Sequence, residues 1–307
     1  MKENKWITYR VPGEWNKRTV QEVLKGPLLL SNRMISRLTR SRGIRLNGSM
    51  PWLQRRVREG DRLQVAVRPR ERADLEGEPI NFQVRYEDID LMVVDKPAGV
   101  NVHPVRSGER GTLAHGIVHH WKEQGGEGKV RPVHRLDRDT SGLLMVAKSA
   151  YAHQLMDREL REKRLKRVYL AFLKGRLSLS HPVTGTIHAP IARERNHPLR
   201  RRVSPQGDAA ITHYRIIDEA NQATKVQVEL DTGRTHQIRV HFAHLGFPLL
   251  GDSLYGRKSS LISRQALHAC ELTFHHPLRS ENLQITSPLP EDLKRLAREL
   301  KLDWEAK

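Results

Sequence analysis

The stretch from Arg131 to Leu144, RPVHRLDRDTSGLL, constrains this chain more than any other. It sets Arg131, Arg135, Arg138, His134, Thr140, Ser141 and a second acid, Asp139, around one carboxylate, Asp137, and then enters the apolar run Leu143–Val146. Positive charge from Arg135 and Arg138 favours the ionised form of Asp137. The apolar run predicts a buried strand. Charges at the edge of a buried strand are costly unless they are paired or put to chemical use. Asp137 is therefore a candidate catalytic nucleophile, and a structural ion pair accounts for the same residues on local spacing alone.

Charge points to the partner. The 307 residues carry a formal net charge of +19, with a pI near 10.4. Such an excess suits a polyanion, above all nucleic acid. No stretch approaches the ~18 consecutive apolar residues of a membrane span. The opening MKENKWITYR lacks the apolar core of a secretory signal. One cysteine, Cys270, excludes an internal disulfide and fits a reducing compartment. The 16 histidines show no zinc-type spacing with cysteine. The expectation is a cytoplasmic, monomeric protein that works on RNA, with no membrane and no metal.

The basic residues concentrate near the start. Thr19 is placed to cap a helix through Lys25, and Ser31 a second helix, with Met34, Ile35 and Leu38 on its apolar side. Arg33, Arg37 and Arg40 recur at i, i+4 and i+7 on another face. Asn47-Gly48 signals a tight turn after Ile44–Leu46, and Gly60-Asp61 precedes the strand-like Leu63–Val67. Twelve arginines lie between Arg33 and Arg72, against three acids. Arginine suits bidentate contacts with phosphate. Arg33, Arg37, Arg40, Arg45, Arg55 and Arg56 are the candidate RNA contacts. From Pro69 the apolar pattern lapses (PRERADLEGEP), so 71–80 reads as a linker with solvated charges.

A larger region follows, over 81–302. Leu91–Val94, Val168–Leu173, Ile211–Ile217 and Lys225–Leu230 read as strands, mostly antiparallel. Leu113–Trp121, a helix capped by Ser149, and Pro288–Lys301 read as helices. Arg193–Arg202 is a basic, proline-containing loop, either solvated or a second phosphate contact. The dense stretch Asp231–Gly256 supplies partners for Asp137. There Ile238, Val240 and Phe242 alternate with Arg239 and His241, which predicts a strand. Arg239 and His241 would then point the same way, and Arg239 would hold an aspartate through charge-assisted hydrogen bonds. The fold class is α+β: a small α/β domain ahead of a mixed, mostly antiparallel sheet.

These residues carry a resemblance. HRLDRDTSGLL at 134–144, TGRTHQIRVH at 232–241 and GFPLLGDSLYG at 246–256 resemble the RluA family of RNA pseudouridine synthases. Lys96-Pro97-Ala98-Gly99 with His103-Pro104, Tyr169 in RVYLAFLKG, and Leu267-His268-Ala269 match further segments in order. Residues 16–70 resemble the S4 RNA-binding domain, a common companion of that catalytic domain. The resemblance implies isomerisation of uridine to pseudouridine in structured ribosomal or transfer RNA, with no cofactor. It puts Asp137 at the position of the catalytic aspartate, Tyr169 at that of the tyrosine stacking on the target base, and Arg239 at that of the basic partner of the aspartate. Ile238, with His134 and Arg135 beside Asp137, would line the substrate pocket. The target base would have to leave its stack to reach a buried aspartate. Two positions depart from the family pattern: Arg167 stands for a lysine, and Asp208 stands where a lysine is usual.

Other readings are weaker. Gly251-Asp252-Ser253-Leu254 spells an esterase-like GDSL, but no Asp-x-x-His follows. The HRLD stretch lacks the glycine-rich loop and DFG of a kinase. A non-catalytic RNA-binding protein would need the basic surfaces but not an aspartate, a tyrosine and an arginine brought together.

Overall fold

The structure, a computed structural model, describes residues 5–303 other than 221 and 280. The N-terminal unit runs β1 (Ile7–Arg10), α1 (Val20–Lys25), α2 (Asn32–Arg40), β2 (Ile44–Leu46) and β3 (Arg62–Val65), with an antiparallel sheet in the order β1-β3-β2. Both expected caps are present. Thr19 accepts from the Glu22 amide while Glu22 reaches back to Thr19, and Ser31 accepts from Met34. Met34, Ile35 and Leu38 are buried against Val23, Leu24, Leu63 and Val65. The sheet reaches further upstream than residue 16, because Ile7–Arg10 pairs with Arg62–Val65.

The rest is built on one ten-stranded sheet. Its elements are β4 (Gln83–Glu87), β5 (Leu91–Lys96), α3 (Leu113–Glu123), β6 (Arg131–Pro132), β7 (Ser141–Ala147), α4 (Ala150–Arg161), β8 (Lys166–Lys174), β9 (Thr184–His188), β10 (Ile191–Arg193), β11 (Arg201–Val203), β12 (Ile211–Ala220), β13 (Ala223–Leu230), α5 (Gln237–His244), β14 (Leu267–His275), β15 (Asn282–Thr286) and α6 (Glu291–Leu300). The strand order is β4-β5-β7-β14-β8-β13-β12-β9, with β15 on β14, β6 on β7, and β10–β11 as a separate hairpin. Of its pairings, β7–β14 is the parallel one. Gly142 makes that pairing possible: its φ is +109°, and a Cβ there would lie 2.2 Å from the Ala269 carbonyl oxygen. Phe172, Phe242 and Phe274 are fully buried, each contributing about 1.5–3 kcal/mol on removal from water.

Two expectations need correction. Residues 237–244 form a helix rather than a strand, with His236 in the left-handed region at its N-cap. Gln237 through Phe242 are all buried, so alternation of polar and apolar residues carried no information about which face met solvent. The segment 71–80 is also no free tether. Its acids meet basic residues of the larger domain: Glu71 with Arg131 at 2.7 Å, Asp74 with Lys129 at 3.2 Å and Glu78 with Arg110 at 2.6 Å. Ala73 and Leu75 pack on the main core. The N-terminal unit docks on α4, where Tyr151 and Leu155 join its core and the Tyr151 hydroxyl donates to the Leu28 carbonyl at 2.7 Å. Arg68 adds a two-bond pair with the buried Asp90.

Candidate active site

The turn carrying Asp137 lies between β6 and β7 and is held by its backbone. Lys96, fully buried at the end of β5, donates to the carbonyls of Pro97, Val100 and Arg138, each at 2.8 Å. Burial pulls the Lys96 amine down to about 7, opposed by Asp139 and Asp137. Three carbonyl acceptors require three N–H donors, which only the ammonium form supplies. Arg264, also buried, donates to the Asp139 carbonyl at 3.1 Å and pairs through two bonds with Asp292. Two successive peptide carbonyls are thus each gripped by a buried cation. Thr140 N–H donates to Asp137 O at 3.1 Å and closes the turn.

Arg239, from α5, meets Asp137 from the other side. Its Nη1 donates to Asp137 Oδ2 at 3.0 Å. Its Nε and Nη2 donate to Asp252 Oδ2 and Oδ1 at 2.7 and 2.9 Å. Asp252 is 1% exposed, and its Oδ1 also accepts from the amides of Leu254 and Tyr255. Burial opposes the charge on Arg239, but Asp252 and Asp137 outweigh it and hold its pKa above the ordinary value. The side chain of Asp137 stays 24% exposed, and its Oδ1 makes no hydrogen bond among the described residues. The arrangement leaves one oxygen of Asp137 oriented by Arg239 and the other available.

Asp137 and Arg239 open into a shallow cleft with Arg135, Thr140, Tyr169, Leu230, Arg234, His236 and Ile238 on its walls. Tyr169, from β8, is buried, and burial raises its hydroxyl pKa. His236 Nε2 lies 4.0 Å from Asp137 Oδ2. Burial lowers the His236 pKa, against the pull of Asp137.

The sequence-predicted residues divide. Asp137, Tyr169, Arg239, Ile238 and Arg135 meet in the cleft. His134 does not: it is turned into the protein body, where Nε2 accepts from the Met145 amide at 3.2 Å. Burial and nearby Arg167 lower its pKa to about 3, so it is a neutral peg for β7. Arg239 and His241, expected on one side, lie on opposite sides, since helical residues two positions apart are separated by about 200°. His241 contacts the Thr212 hydroxyl and the Ala189 carbonyl. Arg135 and Arg138 are not the partners of Asp137; Arg138 donates to the Gly99 carbonyl. Asp252, in the GDSL segment, is the anchor of Arg239. No role at the site is read from sequence for Asp252, Lys96, Arg264 or His236. For Lys96 a signal existed, because a lysine closing an apolar strand has to be satisfied within the protein.

On the N-terminal unit, Arg33, Arg40, Arg45, Arg55 and Arg56 are exposed and Arg37 is half-buried. Arg45 stacks over Trp6 at 4.6 Å and Arg56 donates to the Lys17 carbonyl. No ion pair is found for any of the six among the described residues. Arg167 is buried and donates to the carbonyls of Leu230 and Thr232. Asp208 is exposed, 3.7 Å from Arg234. No group of three or more His, Cys, Asp or Glu able to hold a metal occurs among the described residues, and no helix there is long and apolar enough to cross a membrane.

Residues 90–244, half of the chain, match the RNA pseudouridylate synthase family, and residues 7–63 match the N-terminal domain family described for the RluD ribosomal pseudouridine synthase. With a carboxylate, an arginine and a tyrosine gathered in one cleft behind an S4-like domain, the chain belongs to the RluA family of RNA pseudouridine synthases. It is an enzyme that isomerises uridine to pseudouridine in RNA. Among its relatives, the RNA pseudouridine synthase YhcT of Bacillus subtilis is 40% identical over 294 residues, 95% of each chain. The ribosomal large subunit pseudouridine synthase D of Haemophilus influenzae is 34% identical over 276 residues, 85% of this chain and 84% of that one. The solved structure of human RNA pseudouridylate synthase domain containing 1 superposes with a TM-score of 0.56 at 25% identity, over 76% of this chain and 100% of that one.

Proposed function

We propose that this enzyme acts on large-subunit ribosomal RNA, with Asp137 as its catalytic carboxylate, Tyr169 as the platform for the target base and Arg239 as the residue that orients Asp137. The observation carrying this reading is the three-way contact of Arg239, locked on Asp252 through Nε and Nη2 and on Asp137 through Nη1. An arginine fixed in this way presents one oxygen of Asp137 in a set direction, in a cleft that also holds Tyr169.

The isomerisation breaks the N1–C1′ bond, with its electron pair leaving on the uracil. The ring then turns and C5 bonds to C1′, after which C5 loses its proton. Asp137 acts at the ribose. Attack on C1′ and removal of the C2′ proton make the same demand, an ionised and oriented oxygen. Tyr169 stacks on the flipped base, a contact typically worth about 1–3 kcal/mol, and in this reading its hydroxyl assists departure of the C5 proton. The exposed arginines of the N-terminal unit hold phosphates, so affinity falls as salt rises. The relatives named for the ribosomal large subunit favour that substrate over transfer RNA. We further propose a monomeric, cytoplasmic enzyme whose RNA-binding domain, with β1 included, spans 7–70 and whose catalytic domain spans 81–302.

The test is to map pseudouridines in large-subunit and transfer RNA from cells with the gene deleted, then restored as wild type or as Asp137→Asn. Loss of one or more large-subunit sites, regained only with wild type, is expected. Unchanged ribosomal sites with lost transfer RNA sites would overturn the substrate assignment.

A further inference from the structure

The basic loop at 193–202 is the tip of a hairpin, β10–β11, packed beside the helix that carries Arg239. In its register Arg193 faces Arg201 directly. Like charges opposite one another destabilise a hairpin, so this pairing suits a strand pair that meets an anion. Arg193, Arg195 and Arg202 are exposed and take part in no ion pair among the described residues. Glu194, an acid within the hairpin, is turned to Arg200 at 3.4 Å.

One side chain joins this hairpin to the site. The Tyr255 hydroxyl accepts from the Arg201 backbone N–H at 2.8 Å and meets His236 Nδ1 at 2.8 Å. The Arg239 guanidinium lies 5.1 Å from the Tyr255 ring centre and that of Arg200 lies 5.7 Å away. Because the hydroxyl already accepts from Arg201, its own proton is free for His236 Nδ1. That assignment puts the imidazole proton on Nε2, the nitrogen facing Asp137 Oδ2 at 4.0 Å. A single phenol therefore touches the hairpin backbone, the histidine beside Asp137 and the arginine that orients Asp137.

We propose that Tyr255 is a positioning residue that couples phosphate contact on the 191–203 hairpin to the alignment of Asp137, His236 and Arg239. This rests on the catalytic reading above. RNA held by Arg193, Arg195 and Arg202 fixes the hairpin strand, and Arg201 N–H fixes the Tyr255 hydroxyl. The hydroxyl in turn fixes the tautomer of His236 and the seat of Arg239. The hairpin thereby influences the chemical step as well as affinity.

The experiment is tritium release from 5-tritiated-uridine large-subunit rRNA transcript under single-turnover conditions, for wild type, Tyr255→Phe, an Arg193→Gln/Arg202→Gln double variant, and the combination. Tyr255→Phe keeps the ring and removes the hydroxyl. It is expected to lower the saturating rate about tenfold while changing half-saturation less than about twofold. The hairpin variant, made only of exposed side chains, is expected to weaken half-saturation and also lower the saturating rate. The combined variant should lose no more saturating rate than Tyr255→Phe alone, since both act through one link. The proposal is overturned if Tyr255→Phe leaves the saturating rate unchanged, if the hairpin variant alters half-saturation only, or if the two rate losses multiply. Wild type that releases no tritium from this transcript would sink the large-subunit substrate reading on which this proposal rests.

Discussion

Arginines dominate two regions of this molecule and do opposite things in them. On the N-terminal unit, Arg33, Arg37, Arg40 and Arg55 stand on a small core with no carboxylate partners among the described residues. Around the cleft, Arg239 and Arg264 are buried at 7% and 8% exposure and satisfied by carboxylates and carbonyls. The first set has no carboxylate to satisfy it among the described residues; the second holds other groups still. Residue type alone does not separate these uses. Burial and pairing do, because a buried guanidinium must be compensated inside the protein whereas an exposed one can wait for phosphate.

The largest expected effect comes from breaking the inner set. Arg239→Leu leaves Asp252 buried without its cation, which is expected to cost about 3–5 kcal/mol of stability. Chemical denaturation should show that loss, with tritium release near background. Arg239→Lys keeps the charge but cannot make three planar bonds at once. It is expected to fold and to lose about a hundredfold in rate. A Lys variant at wild-type rate would remove orientation of Asp137 from the account.

The outer set should behave in the reverse manner. Replacing Arg33, Arg37 and Arg40 together by glutamine is expected to leave stability and saturating rate unchanged. RNA affinity should fall about tenfold near 0.1 M salt, with a shallower salt dependence. A salt series of binding isotherms checks this, and an unchanged slope would take these residues out of the RNA interface.

A smaller effect tests the pegs beneath the site. His134 stays neutral in the folded protein down to about pH 3, while the unfolded chain takes a proton near 6.5. Between those values the unfolded state binds more protons, so this group makes stability fall as pH falls, by up to about 1.4 kcal/mol per pH unit. His134→Gln can still accept from Met145 N–H and cannot titrate. The gap in stability between wild type and this variant should narrow from pH 7 to pH 4, as read from urea unfolding. A constant gap would contradict a neutral His134.

Much of this was legible in the sequence, for physical reasons. The caps at Thr19 and Ser31, the apolar side of Met34, Ile35 and Leu38, and the strand Leu143–Val146 are local signals, and they appear where local rules put them. Asp137, Tyr169 and Arg239 came through the resemblance, since 102 residues separate Asp137 from Arg239 and no local rule joins them. The helix at 237–244 was misread as a strand because both of its faces are buried. Asp252 was passed over because a turn residue and the anchor of a buried arginine look alike until the arginine is seen. His134 stands three residues from Asp137 but points into the protein body, which spacing in a turn cannot reveal.

The central claim is that Asp137 performs chemistry and does more than pair with Arg239. The direct measurement is single-turnover tritium release by Asp137→Asn alongside its RNA affinity. The amide keeps the shape and an oxygen for Arg239 but loses the carboxylate. The account predicts affinity within a few-fold of wild type and a rate reduced on the order of a thousandfold or more. Product formed at a wild-type rate by a folded Asp137→Asn enzyme would contradict it.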